Sequence, residues 1–280
     1  MKVQFENKLM SSFLQFVDNK ILEKGDAFTN HGSNFYPVNN LYSGHYTYAA
    51  PYKQLVADSS VNGATVMNQI YVDGSPISVG TNNFVGINHY EGQVYFDSDQ
   101  SDKTISGNYS IKDFNVYLTN DPEEKILFED KHHIKPMVSG DLSGLSPEVQ
   151  TYPAIYLKNN GGDSIPFAFG GVDNSRTQIR AIVLADSSFK LDAVCGILKD
   201  THKREVQILD TLPFNAMNAY TGVNYNYTGL KDSHSGDHPK PIIWEVNVSK
   251  NVTRGEGLNP GVFTAFVDFQ LEYIRKLPTE

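Results

Sequence analysis

The chain has 280 residues, 32 acidic and 23 basic side chains, a net charge of −9 at pH 7 and one cysteine. That length accommodates one large domain or two small ones with a sizeable core. The charge excludes a whole-chain basic footprint for nucleic acid, and the single cysteine excludes a disulfide framework or a four-thiolate zinc site within one chain.

With 16 Phe, 16 Tyr, 22 Gly and 13 Pro, the composition points to β-structure and turns. No run approaches the ~18 apolar residues of a membrane span. Met1–Glu23 is charged throughout and lacks an apolar run ending in a cleavage site, so the expected compartment is the cytoplasm or a particle assembled there.

Apolar residues at helical spacing predict an amphipathic helix from Phe5 to Leu22, closed by Gly25. Its broad apolar arc makes it either a strut on its own domain or an arm reaching a neighbour. Asn30–Asn34 has a loop composition, followed by the aromatic alternation of Tyr42, Tyr46 and Tyr48. Asp73-Gly74 and Glu91-Gly92 each separate two short apolar runs and predict hairpins, because a glycine in a two-residue turn allows the positive φ that strand twist demands. Tyr109–Leu118 reads as one further strand. Residues 131–150 hold Pro136, Gly140, Gly144 and Pro147 and read as a linker or long loop.

In the second half, Thr151–Leu157 and Ser164–Phe169 read as strands joined by the turn signal Asn159-Asn-Gly-Gly-Asp163. Gln178–Leu184 is a third strand, Ser187-Ser188 caps a short helix from Phe189 to Lys199, and Val206–Leu209 is again a strand. A polar loop from Asn215 to Pro241 precedes the strands Ile242–Ser249 and Val262–Ile274. The last has Phe263, Ala265, Val267, Phe269, Leu271 and Tyr273 on one face and exceeds ordinary strand length, so it spans its sheet or passes the domain edge.

The expected fold is mainly β (α+β): antiparallel sheets in a sandwich or barrel-like body, an N-terminal helix and one short helix in the second half. The expected division is a helical arm (1–30), a β-domain (31–130), a linker (131–150) and a β-rich α+β domain (151–280).

A search for chemistry returns no catalytic, cofactor or metal residues. His234 and His238 with Asp232 or Asp237 have the residue types for a metal, but Gly236 and Pro239 argue against the helix that their spacing needs. His132-His133 reads as part of a linker edge. Asp97–Asp102 begins like a calcium loop, yet its sixth and twelfth positions are Asp102 and Asn108 instead of Gly and Glu. Gly140–Gly144 misplaces the serine of a nucleophile elbow, and Gly255-Glu-Gly257 lacks the third glycine of a dinucleotide fingerprint. Cys195 reads as a small buried hydrophobe. His202-Lys-Arg204, the densest basic patch, complements a helix end.

Two stretches, Tyr71-Val-Asp-Gly-Ser-Pro-Ile-Ser-Val-Gly-Thr-Asn82 and Ile87-Asn-His-Tyr-Glu-Gly-Gln-Val-Tyr-Phe96, resemble a cadence of structural proteins of tailed bacteriophages. Thr151–Asn160 and Ile179–Ser187 are similar in style to such proteins from contractile-tailed phages. The resemblance implies a non-enzymatic virion subunit without cofactors. The preferred station is a neck or tail connector or terminator ring, with a baseplate or capsid-surface position as the alternative.

Its implied partners are copies of itself in a ring of six or twelve and other virion proteins, with DNA passing a lumen without specific binding and no membrane. Phe5, Leu9, Phe13, Phe16 and Val17 of the helix and Phe269, Leu271 and Tyr273 of the last strand are the candidate subunit contacts. A carbohydrate- or receptor-binding β-module, with tyrosines as stacking platforms, is the competing class.

Overall fold

The computed structural model describes residues 5–42, 44–129, 152–168, 172–209, 224–232, 240–250 and 261–276. Along the chain run α1 (Phe5–Gly25), β1 (Phe28–Tyr42), β2 (His45–Ala49), β3 (Gln69–Val72), β4 (Ser75–Ser78), β5 (Phe84–Asn88), β6 (Gln93–Phe96), β7 (Ile105–Lys112) and β8 (Asn115–Leu118). After a π-helical turn at Lys125–Glu129 come β9 (Ala154–Ala168), β10 (Val172–Ala185), α2 (Ser188–Lys199), α3 (Tyr227–Asp232), β11 (Ile242–Lys250) and β12 (Phe263–Lys276). The fold is mainly β, as the composition predicts.

These elements form two compact units. One comprises Met1–Asp26, Phe114–Asp210 and Ser233–Glu280, the other Ala27–Asp113 and Thr211–Asp232. The expected serial division is thereby replaced by an interleaved one: α1 belongs with the C-terminal sheet, and the barrel-like unit is inserted after it. Of the linker expected at 131–150, every residue lies outside the described ones.

The barrel-like unit is a seven-stranded sheet in the order β4-β3-β7-β1-β2-β6-β5. β1 pairs antiparallel with β7 over Phe28–Phe35 and with β2 from Tyr36 onward, so the sheet changes partner along one long strand and curls. Inside it pack Phe35, Tyr48, Ile70, Phe84, Phe96 and Tyr109. The loop expected at Asn30–Asn34 is instead the first half of β1. Its polar residues suit a strand because the outer ones meet solvent, and inward-facing Ser33 hydrogen-bonds the Tyr109 hydroxyl at 2.5 Å.

The first predicted hairpin forms with both turn residues left-handed, Asp73 at φ 49° and Gly74 at 79°. The second has a longer loop than predicted, since β5 and β6 pair only up to Asn88 and Gln93. Tyr109–Leu118 is two strands in separate sheets, β7 and β8. Buried Asp58 accepts hydrogen bonds from the Ser60 amide and hydroxyl and from the Tyr227 amide, which anchors the start of α3.

In the other unit, five strands run in the order β11-β12-β10-β9-β8, antiparallel except for the parallel pair β8 and β9. Ile155, Leu157, Ile179, Ala181, Val183, Ala265, Val267 and Phe269 are buried and alternate along the three long strands. α1 lies against this face, with the Phe13 ring edge-on to Phe269 at 5.1 Å. α2 also packs on β10 and β12, and starts at its predicted N-cap, where the Ser187 hydroxyl oxygen accepts from the Lys190 amide. The opposite face buries Tyr156, Ile182, Leu184 and Phe266 with Ile126 and Leu127 of the π-helical turn.

Two expectations fail here for identifiable reasons. Asn159–Asp163 is no turn: β9 runs through it, and two residues, Asn160 and Gly161, oppose the single Gln178 of β10. This is a bulge with Gly161 at φ 89°, and a Cβ on Gly162 would lie 2.0 Å from the Arg176 carbonyl oxygen. The glycines thus serve a strand that must kink and approach its partner closely. Val206–Leu209 is no strand either; beside it stands an isolated bridge between Glu205 and Ile242. Val206, Ile208 and Leu209 are apolar because they are buried, and the Leu209 amide donates to the Ser12 hydroxyl.

Every residue of α1 from Ser12 to Asn19 is buried. Truncating fully buried Phe13 to Ala should cost about 3–5 kcal/mol, read as a loss of unfolding free energy in denaturant titration. Gln15 is buried with neither carboxamide atom hydrogen-bonded. Gln15→Met, which keeps the shape and removes that desolvation penalty, should stabilise the protein by about 1–3 kcal/mol in the same titration; an unchanged midpoint would show the carboxamide to be harmless there.

Candidate functional site

β9, β10 and β12 have 15, 14 and 14 residues and continue past the buried part of their sheet. From Asn160 to Ile165 every side chain of β9 is exposed. Register aligns Ile165 with Asn174 and Asn174 with Ile274, placing the two isoleucines on one face, 45% and 57% exposed. The next row inward is Asp163, Arg176 and Glu272, with an Arg176–Glu272 ion pair at 2.7 Å. Among the described residues β8 pairs with β9 only from Ala154 to Leu157, and no strand pairs with that outer edge farther along.

The extension is tied down at its root. On the helix side, the Glu6 carboxylate of α1 accepts from the hydroxyl of Tyr273 at 3.1 Å, the carboxamide of Asn159 at 3.3 Å and the hydroxyl of Thr177 at 3.5 Å. One side chain therefore gathers all three long strands beside the bulge, while the Phe5 ring packs on Tyr273 with centroids 4.9 Å apart. On the other side, the Arg180 guanidinium grips Asp268 through two nitrogens at 2.6 and 2.9 Å and Glu123 through the third at 2.9 Å, and lies over the Phe266 ring. These carboxylates raise the guanidinium pKa still further, Asp268 contributing most. Such a bidentate grip is geometrically specific. The arrangement holds a stiff platform and offers surface; it brings together no nucleophile with a base.

The residues expected to contact other subunits are placed differently. Leu9, Phe13, Phe16, Val17, Phe269, Leu271 and Tyr273 are buried within the chain itself, and Phe5 is half-buried against Tyr273. In the single chain the helix and the last strand thus cover each other's apolar faces, which moves the exposed apolar surface from these residues to Ile274 at the strand's end. α1 is the strut and not the arm. The sequence reading took the end of the last strand as a contact but named Tyr273 and not its exposed neighbour Ile274, and it missed Ile165, which sits beyond a supposed turn.

Among the described residues no group of three or more His, Cys, Asp or Glu is arranged to hold a metal ion. His132, His133, His234, Asp237 and His238 lie outside the described residues, as do Gly140–Gly144 and Gly255–Gly257. Asp97–Asp102 is a turn in which Asp99 accepts from the Tyr48 hydroxyl and from Ser101, while Asp97 pairs with His45. His202-Lys-Arg204 forms the turn after α2, held by the Lys203 amide donating to the Ile243 carbonyl. No helix of the described residues is long and apolar enough to cross a membrane.

Cys195 is buried on α2, and that burial pushes its thiol up to about 11. The unfolded thiol ionises near 8.5, so ionisation of the unfolded chain should lower stability as pH rises from about 9 towards 11, with the full contribution present below that window. Iodoacetamide at pH 9 should leave the native thiol intact and modify it fully in denaturant, as followed by mass spectrometry; rapid modification of native protein would contradict the burial. No protein-family model matches the chain, and no curated protein matches its sequence.

Proposed function

We propose that this protein is a non-enzymatic structural subunit of a tailed-phage virion that works by fitting against other subunits. The observation that carries this reading is the three-stranded extension, with exposed Ile165 and Ile274 on one face and the outer edge of β9 beside them. Strand edges bind neighbours by main-chain hydrogen bonding while alternate side chains give specificity.

The root supports the same use. Glu6 and Arg180 hold the strands from both faces, so a partner meets a surface ordered beforehand and loses less entropy on docking. A neck or tail connector or terminator ring remains the preferred station, with baseplate or capsid surface as alternatives. The proposed surface shares the end of the last strand with the one read in the sequence, adds Ile165 and leaves the helix inside.

Light scattering and negative-stain images of the same fractions test this. Expected are rings, or a mass rising with concentration towards six or twelve subunits. The double variant Ile165→Lys, Ile274→Lys should lower that mass to one subunit without changing the melting temperature, since both side chains are exposed in the single chain. A monomer at every concentration, or rings indifferent to the double variant, would count against the extension as the contact surface.

A further inference from the structure

We propose that the outer face of β1, β3 and β7 in the barrel-like unit is a binding site for a neutral glycan, with Tyr71 as its stacking platform. This inference concerns the barrel-like unit by itself and is independent of the assembly reading.

The antiparallel register sets Tyr71, Ser106 and Asn34 in one row across three neighbouring strands. At the usual strand spacing the tyrosine and the asparagine lie about 10 Å apart. The adjacent row on β1 and β7 sets Gly32 opposite Asn108. An open trough of about 410 Å³ lies on this face, and the Asn108 side chain lies close over Gly32. A Cβ at that position would lie 2.7 Å from the Asn108 side-chain oxygen.

The lining decides the ligand class. Gly32, Asn34, Ser106 and Asn108 contribute carboxamides, a hydroxyl and open backbone, Tyr71 contributes a ring, and none of the lining residues is a carboxylate or a cation. A carboxamide donates and accepts together, which matches vicinal hydroxyls that do the same, while a ring matches the apolar face of a pyranose. A nucleic acid or other polyanion needs cations that this trough lacks.

The face does not end at the trough. Along β1, Asn34 is followed on the same side by Tyr36, 60% exposed, and by Val38. Beyond them Tyr42 stacks on Tyr95 with centroids 5.1 Å apart, and the Tyr95 hydroxyl donates to the Gln93 carboxamide oxygen at 3.1 Å. Rings and carboxamides therefore continue for the length of the strand, which suits an oligosaccharide better than a single sugar.

The test is an immobilised array of neutral oligosaccharides beside sialylated, uronic-acid and phosphorylated ones, probed with the full chain at low and physiological salt. Retention on neutral glycans at both salt concentrations is expected. Gly32→Val, which displaces the Asn108 carboxamide from the lining, and Tyr71→Ala should each weaken that retention at least about tenfold. Gly32→Val must displace the Asn108 side chain, so the melting temperature of each variant is read beside its retention; Asn34→Ala, at an exposed side chain, serves as the second probe should either of the others unfold. A blank array, retention on acidic glycans alone, or neutral retention indifferent to Gly32→Val and Asn34→Ala would overturn the proposal.

Discussion

The alternating apolar face of β12 is the constraint on which its unit depends. Val267, Phe269, Leu271 and Tyr273 are buried, and burying an apolar side chain of this size contributes about 1.5–3 kcal/mol. β10 and β11 take the two edges of this strand, and α1 takes its apolar face. Because the covering helix comes from the opposite end of the chain, the unit closes only when residues far apart in sequence meet. The whole barrel-like unit lies in the interval between them, and such non-local closure slows folding.

The extension follows from the same constraint. The three long strands run on past the apolar core, and polar pairs take over toward their ends: Ser164 with Ser175, Arg176 with Glu272, and Glu6 with Tyr273. These contacts keep the strands registered without an apolar core between layers. What is left outward is two isoleucines on a stiff platform, a surface of the kind that subunit docking uses.

The barrel-like unit turns a different chemistry outward. Its core is dense in aromatics, yet the outer side of β1 carries glycine, asparagine and tyrosine in alternation, with formal charge absent from the trough that they line. In a chain of net charge −9, a neutral patch is a selective surface in itself. The two proposals thus divide between the units, assembly on one and recognition on the other.

Much of this was determined by the sequence alone. Helical spacing set α1 to within a few residues, Ser187 set the start of α2, Asp73-Gly74 set a hairpin, and strict alternation set β12, because each signal is local and its energy is local too. The tertiary structure decided the rest. Asn30–Asn34 and Asn159–Asp163 look like loops, since composition cannot distinguish a glycine that turns a chain from one that kinks a strand or clears room for a neighbour; only the facing strand, Asn108 or Arg176, makes the difference. Whether α1 was strut or arm also lay beyond sequence, because an apolar face names the need for a partner and not the partner, and here that partner is Phe269 at the far end of the same chain.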